Sequence, residues 1–362
     1  MNLKEFSKKT GIPVSTISKA LGNYKDVNIN TKSKIVELAK KYNYVPNLYA
    51  KTLASGHTFS VGLVLPFTYS YEQKITLIDF IENIHSKLNS INIPVIMLFA
   101  KDEKEEIKAL DKLINYHKVR LILLNNTKAN DKRIHYLDSK KIHYITWGRC
   151  DKKTSKYSWI DEDIAFSNNL AVNHLIEKGH NQIGYIDSDL KLNYFLLRKK
   201  YFIDSLSKNK IAINKKYFVN GYRDNKEKTK KNIQELLFKN KTISALFVSS
   251  HLFAMHVIDA CNEMDKKIGV DISLISYDSN ILSFLAPNIT VVSQVAKETN
   301  EHFIKIINSK INNLNRNYNY LYKTKLIDNN SVVNIKNWKH YLFCINFLNS
   351  SSMILISCLV SG

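Results

Sequence analysis

Glycine is scarce in this chain: ten in 362 residues, and no two are separated by a single residue. That excludes the glycine-rich dinucleotide fingerprint, and no glycine-Lys-Ser/Thr phosphate loop is present. Cysteine is also scarce. Cys150, Cys261, Cys344 and Cys358 show no CxxC spacing and no regular framework. This fits reduced thiols better than disulfides or zinc. His251 and His256 are five apart, poorly placed for one helix face, so no metal site is expected. Asp161, Glu162 and Asp163 form an acidic trio with no nucleophile–base pair beside it. Neither an enzyme nor a cofactor is expected. A long apolar run is missing from the N-terminus, where Lys4, Glu5, Lys8 and Lys9 interrupt the first apolar residues. No signal peptide is read there, and a cytoplasmic location is expected.

Positive charge is plentiful. The formal net charge is +21, of which residues 1 to 60 contribute +7 and the rest of the chain +14. Lysine greatly outnumbers arginine, and asparagine and isoleucine are abundant, a bias typical of AT-rich coding. The larger share is therefore read as compositional, not as a second nucleic-acid surface. The N-terminal share is the informative part, because neutralising phosphates makes binding salt-dependent.

Residues 3 to 21 read as two short helices around a glycine turn. Leu3, Phe6, Ile12, Ile17, Ala20 and Leu21 recur at helical spacing and can share one small core. Gly11 lies between the helices, where a left-handed residue costs least. Pro13 can open the second helix, since its missing N–H would be unpaired there. The outer face of that helix carries Val14, Ser15, Ser18 and Lys19, groups suited to base edges and phosphates. Asn28 or Asn30 can cap a third helix whose apolar positions are Ile35, Leu38 and Ala39. Spacing alone leaves two readings open: a DNA-binding helix-turn-helix, or a generic helical subdomain that uses Gly11 as a turn.

The words themselves carry more. Val14-Ser15-Thr16-Ile17-Ser18-Lys19-Ala20-Leu21, Asp26-Val27-Asn28, Tyr44-Val45-Pro46-Asn47 and Ala50-Lys51-Thr52-Leu53-Ala54 resemble, in order and spacing, the headpiece of the lactose-repressor (LacI/GalR) family of bacterial transcription regulators. The resemblance implies a recognition helix over Val14 to Leu21. It implies DNA contacts at Val14, Ser15, Thr16, Ser18, Lys19, Asn23 and Tyr44, and along a hinge helix at Asn47, Ala50 and Leu53. Leu53 stands at the family's minor-groove wedge, where a leucine can part a base step and kink the duplex; the plain alternative is an ordinary apolar linker residue. Three departures put the operator in doubt. Pro13 replaces a usual Ser, Lys19 replaces a usual Arg with its bidentate fork, and Gly22-Asn23 reverses the usual pair.

From residue 61 the pattern changes to short apolar runs alternating with amphipathic stretches. Val61 to Pro66, Val95 to Phe99, Leu121 to Leu124, Tyr144 to Trp147, Ile183 to Ile186, Ala245 to Val248 and Ile272 to Ile275 read as buried strands. Strand and helix in alternation argue for parallel sheets covered on both faces. Strands on either side of residue 160 suggest two lobes with a ligand cleft beyond their carboxyl ends.

This body also resembles the family, weakly over residues 68 to 140. Its best words include Trp147-Gly148-Arg149, Trp159-Ile160-Asp161, Gly179-His180 and Ser276-Tyr277-Asp278. The implied architecture is an all-α helix-turn-helix headpiece plus an α/β, two-lobed, periplasmic-binding-protein-like effector domain. The expected divisions are 1–46 (headpiece), 47–59 (hinge helix and linker), 60–331 (effector-binding and dimerisation domain) and 332–362 (an atypical hydrophobic tail). The Trp-Gly-Arg and Trp-Ile-Asp words look most like regulators of α-glucoside or α-galactoside use. The resemblance gives Arg198, Asp278 and Gln294 to effector binding, with Trp147, Asp161, Tyr222 and Ser250 as further cleft contacts. Each has a plain alternative. Arg198 heads a basic run that could be a solvated face, Asp278 could cap a loop, and a lone aromatic such as Trp147 is more often core. Ser250-His251 stands where the family usually carries Asn-Asp, which leaves open a different ligand or none.

Tyr341 to Val360 is twenty residues without a charge, but Asn346 and Asn349 to Ser352 interrupt it. It makes a poor membrane span, and leucine heptads for a tetramerising coiled coil are absent. The expected protein is a ligand-responsive repressor of carbohydrate-use genes. It would act as a homodimer on a pseudo-palindromic double-stranded operator, with a sugar-type effector. The alternatives are a constitutive DNA-binding regulator with a degenerate cleft and, with no account of residues 3 to 54, a sugar-binding protein without a DNA role.

Overall fold

The computed structural model describes residues 2–21, 27–42, 44, 59–66, 71–91, 93–150, 157–278, 281–293 and 296–336. The chain divides into two compact units, Met1–Ser60 and Val61–Gly362.

The first unit holds three helices: α1 (Leu3–Thr10), α2 (Val14–Leu21) and α3 (Ile29–Lys41). Asn2 opens α1 with a capping box, its side chain accepting from the Glu5 N–H at 3.0 Å while the Glu5 carboxylate accepts from the Asn2 N–H at 2.9 Å. Gly11 ends α1 at φ +67°, the left-handed conformation that costs glycine least. Pro13 stands one residue ahead of α2, and its carbonyl accepts from the Ile17 N–H at 3.0 Å. Asn28 caps α3 by accepting from the Asn30 N–H at 2.8 Å. Phe6, Ile17, Ala20, Ile35, Ala39 and Tyr44 form the core, flanked by Leu3, Ile12, Leu21 and Leu38. The Phe6 and Tyr44 rings stack with centroids 4.4 Å apart.

The second unit is built on two sheets. The elements of its first lobe are β1 (Val61–Pro66), α4 (Tyr71–Ser90), β2 (Val95–Ala100), α5 (Glu103–Asn115), β3 (Leu121–Leu124), α6 (Lys132–Ser139), β4 (His143–Trp147) and β5 (Ser158–Glu162). The second lobe holds α7 (Ile164–Glu177), β6 (Ile183–Ser188), α8 (Asn193–Lys208), β7 (Phe218–Gly221), α9 (Lys226–Lys239), β8 (Ala245–Val248), α10 (His251–Glu263), β9 (Ser273–Asp278), α11 (Leu282–Leu285) and β10 (Thr290–Ser293). The chain then returns through α12 (Ala296–Asn312) and β11 (Asn319–Tyr322) to the first lobe and ends its strands with β12 (Lys325–Ile327) in the second.

The first sheet has the order β11-β5-β4-β3-β1-β2, all parallel. The second has the order β12-β10-β9-β8-β6-β7, parallel except for β12. Leu121 to Leu124 and Ala245 to Val248 are buried along their whole length, as strands covered on both faces must be. Three passages join the lobes: β5 to α7, β10 to α12, and β11 to β12. The first and third are tied together, with the Asp163 N–H donating to the Tyr322 carbonyl at 2.8 Å and the Ser167 and Thr324 hydroxyls 2.9 Å apart.

The body runs past the expected boundary at residue 331. Val332 is buried in the second-lobe core. The Val333 N–H donates to the Ser273 hydroxyl at 3.0 Å, and the Ile335 N–H to the Lys178 carbonyl at 2.9 Å. A strap of apolar residues that finds both a core and backbone partners is part of the domain, not a tail. The remainder of the expected tail, 337–362, lies outside the described residues. Among the described residues, no helix is long and apolar enough to cross a membrane.

Candidate functional site

In the three-helix unit, α2 turns Ile17 and Ala20 inward. The same helical period therefore turns Val14, Ser15 and Lys19 outward, and all three are exposed; Thr16 and Ser18 are half-buried. Tyr44 is placed differently from the expectation. Its ring lies in the core against Phe6, and burial pushes its phenol pKa up. Asn23, Asn47, Ala50 and Leu53 lie outside the described residues.

In the body, the carboxyl ends of the strands of both lobes converge. Arg198, on α8, is buried. Its Nη1 donates to the Ser249 carbonyl at 2.7 Å and its Nη2 to Glu162 Oε2 at 3.0 Å. The guanidinium carbon lies 3.6 Å from the centre of the Tyr277 ring. Burial works against the guanidinium charge, but Glu162 and the flanking tyrosines outweigh it, so the Arg198 pKa is raised on balance. The basic run is therefore not one solvated face: Arg198 points inward, while Lys200 is exposed. Ser250 and Asp278 directly follow the two residues that Arg198 touches, so these three expected positions meet at the ends of β8 and β9. Around Arg198, its own Nε, Glu162 Oε1 and the Ser249 hydroxyl are buried without a hydrogen bond among the described residues. Gln294 lies outside them.

The other expected cleft residues are engaged elsewhere. Asp161 is buried and accepts from Arg149 Nε at 2.7 Å; burial pushes its carboxyl pKa up, against the pull of Arg149. Trp147 packs on Phe80 and Phe303, with centroids 4.5 and 6.1 Å away, which is the core reading of a lone aromatic. Tyr222 follows β7, and Lys228 Nζ sits 3.8 Å from its ring centre.

A cavity of about 250 Å3 opens between the lobes. The first lobe supplies Pro66, Glu103, Glu106, Asn126, Lys128 and Arg133, and the second supplies Leu190, Leu192 and Arg223. None of these was expected from the sequence. Arg133 is buried and orders this wall: it bonds Asp131 twice, at 3.0 and 2.7 Å, and reaches the Asn125 and Asn126 carbonyls at 3.0 and 3.2 Å. Burial raises the Glu106 pKa in spite of Arg133, whereas for Asp131 the Arg133 bonds overcome burial and lower it. At the rim, Asn193 ties the lobes directly. Its N–H donates to the Thr127 carbonyl at 3.1 Å and its side-chain amide to the Arg149 carbonyl at 2.6 Å. Among the described residues, no group of three or more His, Cys, Asp or Glu is arranged to hold a metal ion.

A family described as periplasmic binding protein-like domain matches residues 172–332. The HTH-type transcriptional regulator AglR of Rhizobium meliloti (strain 1021) is 27% identical over 287 residues, 79% of this chain and 80% of AglR. A crystal structure of the Lac repressor dimer bound to operator and the anti-inducer ONPF superposes with a TM-score of 0.76 at 17% identity, over 92% of this chain and 99% of that one. The transcriptional regulator CelR in complex with cellobiose superposes with a TM-score of 0.66 at 18% identity, over 90% of this chain and 98% of that one. With its three-helix N-terminal unit and its two parallel-sheet lobes, the chain shares the fold of the Lac repressor and is similar in sequence to HTH-type transcriptional regulators.

Proposed function

We propose that the chain is a sequence-specific DNA-binding repressor of carbohydrate-use genes, acting in the cytoplasm as a homodimer and controlled by a sugar-type effector. The observation that carries the reading is a single chain holding both parts of such a switch. One unit presents Val14, Ser15 and Lys19 on the outer face of α2, and the other holds an open cavity between two lobes, with charged groups set in a largely apolar lining. The similar structures hold an operator in one case and cellobiose in another, which supports the same two partners here. A sugar needs hydrogen-bonding groups set among apolar surfaces. The unbonded polar atoms around Arg198 and the Tyr277 ring beside it are suited to that. Asp278 and Gln294 are proposed to complete the set.

The dimer is supported by β2, the outermost strand of the first sheet among the described residues, which exposes Met97 and Phe99 on one face. Such an edge strand is covered by a second copy more cheaply than by water. Two copies of α2 would read two half-sites of a pseudo-palindromic operator. Asn23, Asn47, Ala50 and the Leu53 pair would add contacts and bend the duplex. An effector that favours one relative lobe angle changes operator affinity, and operator changes effector affinity by the same factor.

The test is a footprint of the full chain on the DNA upstream of its own gene, with and without maltose- and galactoside-type sugars. A protected two-fold site whose occupancy shifts with one sugar is expected; no protected site would end the DNA-binding reading. A second reading is constitutive binding with a degenerate cleft. It is favoured by Ser250-His251 in place of the usual pair and by an Arg198 already bonded to Glu162 and Ser249. Protection that no sugar alters, with no heat of binding at millimolar sugar, would select it.

A further inference from the structure

All six strands of the first sheet begin at one edge. Val61 lies opposite both Val95 and Leu121, Leu121 opposite His143, and Asn319 opposite Trp159. The polypeptide enters the body there, because Ser60 leads directly into Val61. The loops feeding this edge are basic. Lys118 and Arg120 precede β3, Lys140 and Lys141 precede β4, and Arg316 precedes β11; all five are exposed. Lys310 is buried beneath them. Its Nζ donates to the Arg316 carbonyl at 3.0 Å and to Asn317 Oδ1 at 3.1 Å, pinning the loop that carries Arg316. His143 lies within the field of this group: burial lowers its pKa first, then Lys310 and Arg120 lower it further.

The acids of this lobe sit largely at the opposite end. Glu103 pairs with Lys128 and Lys132, Glu106 and Asp131 with Arg133, and Asp161 with Arg149, all near the carboxyl ends of the strands. Near the basic edge, Asp138 accepts from the Tyr144 hydroxyl at 2.9 Å. The helices run back to this edge, and their carbonyl ends attract cations. That accounts for Lys140, which caps α6, and for Lys310 in the last turn of α12. It does not account for Lys118, Arg120, Lys141 and Arg316, which lie beyond the helix ends. From β3 to β11 is three inter-strand steps, about 14 Å at ~4.8 Å each, or about four base steps of duplex.

We propose that this edge of the first lobe is a second phosphate-contacting surface for double-stranded DNA, additional to the three-helix unit. The charge of the body is thus not wholly compositional. The proposal rests on the DNA-binding reading above.

The test uses the full chain and a random-sequence duplex of about 40 base pairs, roughly four helical turns. Affinity is measured by fluorescence anisotropy against sodium chloride concentration. The variant K118Q/R120Q/K140Q/K141Q is compared with K208Q/K210Q/K215Q/K216Q, an equally exposed quartet on the second lobe, and circular dichroism confirms that both fold. Each lost phosphate contact lowers the slope of log affinity on log salt by about 0.9. The first quartet is expected to lower the slope by about 2 to 4 and weaken binding at least ~10-fold at ~0.1 M salt; the second quartet should change neither. A first quartet with the wild-type slope, or a second quartet with an equal loss, overturns this surface while leaving the functional reading intact. A wild-type chain that binds no duplex at all overturns both.

Discussion

Glu162 and Arg198 form a buried ion pair, Nη2 to Oε2 at 3.0 Å, that joins the end of a first-lobe strand to a second-lobe helix. The position that the family resemblance gives to effector binding is therefore already half-occupied by the protein itself. The Arg198 Nε and Glu162 Oε1 are left without a hydrogen bond among the described residues. The pair thus ties the two lobes to each other.

Breaking this pair should be costly. Glu162→Gln keeps the shape but leaves the guanidinium charge buried, with the Ser249 carbonyl and the Tyr277 ring as its main compensation. Removing one partner of a buried pair costs on the order of 3–5 kcal/mol. Urea unfolding should show a loss in that range, and the double variant E162Q/R198M should recover most of it. A loss below ~1 kcal/mol for E162Q would mean that the pair carries little of the lobe arrangement.

Stability should also fall on mild acidification, and His180 is the main reason. Its ring is buried among Ser244, Ser273 and Val333. Nε2 lies 2.9 Å from the Val333 carbonyl, so it must carry the proton, and Nδ1 lies 2.9 Å from the Ser244 hydroxyl, from which it accepts. Burial lowers the pKa of His180, and also those of His174 and His143. A histidine with a depressed folded pKa contributes stability that is full above its unfolded value, about 6.5, and is lost as pH falls toward the folded value. Unfolding free energy between pH 7.5 and 5 should drop with a slope of up to ~1.4 kcal/mol per pH unit for each histidine. His180→Gln, whose amide can still donate to Val333, should flatten that slope by about one proton; an unchanged slope would reassign the effect.

How much of this was legible depended on range. The N-terminal core was readable because Phe6, Ile17 and Ile35 repeat at helical spacing around a turn that Gly11 makes cheap. The strands were readable because a fully buried strand such as Leu121 to Leu124 has no polar face to confuse it. The cleft was not. Glu162 finds Arg198 at a separation of 36 residues, and Asn193 finds Arg149 at 44. Trp147 looked available until Phe80 and Phe303, from two other helices, closed over it. Such pairings are set by how distant segments meet, and no local pattern encodes them. The buried Arg133 wall had a local component, the bidentate bond to Asp131 two residues away, but a single Asp-x-Arg triplet is too common to read as a site.

Phe6 should be the weak point of the DNA-binding unit. Its ring is fully buried and stacks on Tyr44 with the planes only 7° apart. Phe6→Ala removes one ring of that stack, leaves Tyr44 without its partner and opens a cavity, a change worth about 3–5 kcal/mol in a well-packed core. A unit of this size buries too little surface to absorb such a loss. The variant should lose the helix signal of α1 to α3 in circular dichroism and lose affinity for duplex DNA. The body, a separate compact unit, should keep its own thermal transition and its own effector response. If the Phe6→Ala chain binds duplex DNA with wild-type affinity at 25 °C, DNA recognition does not depend on the packed three-helix core, and α2 is not held in place by it.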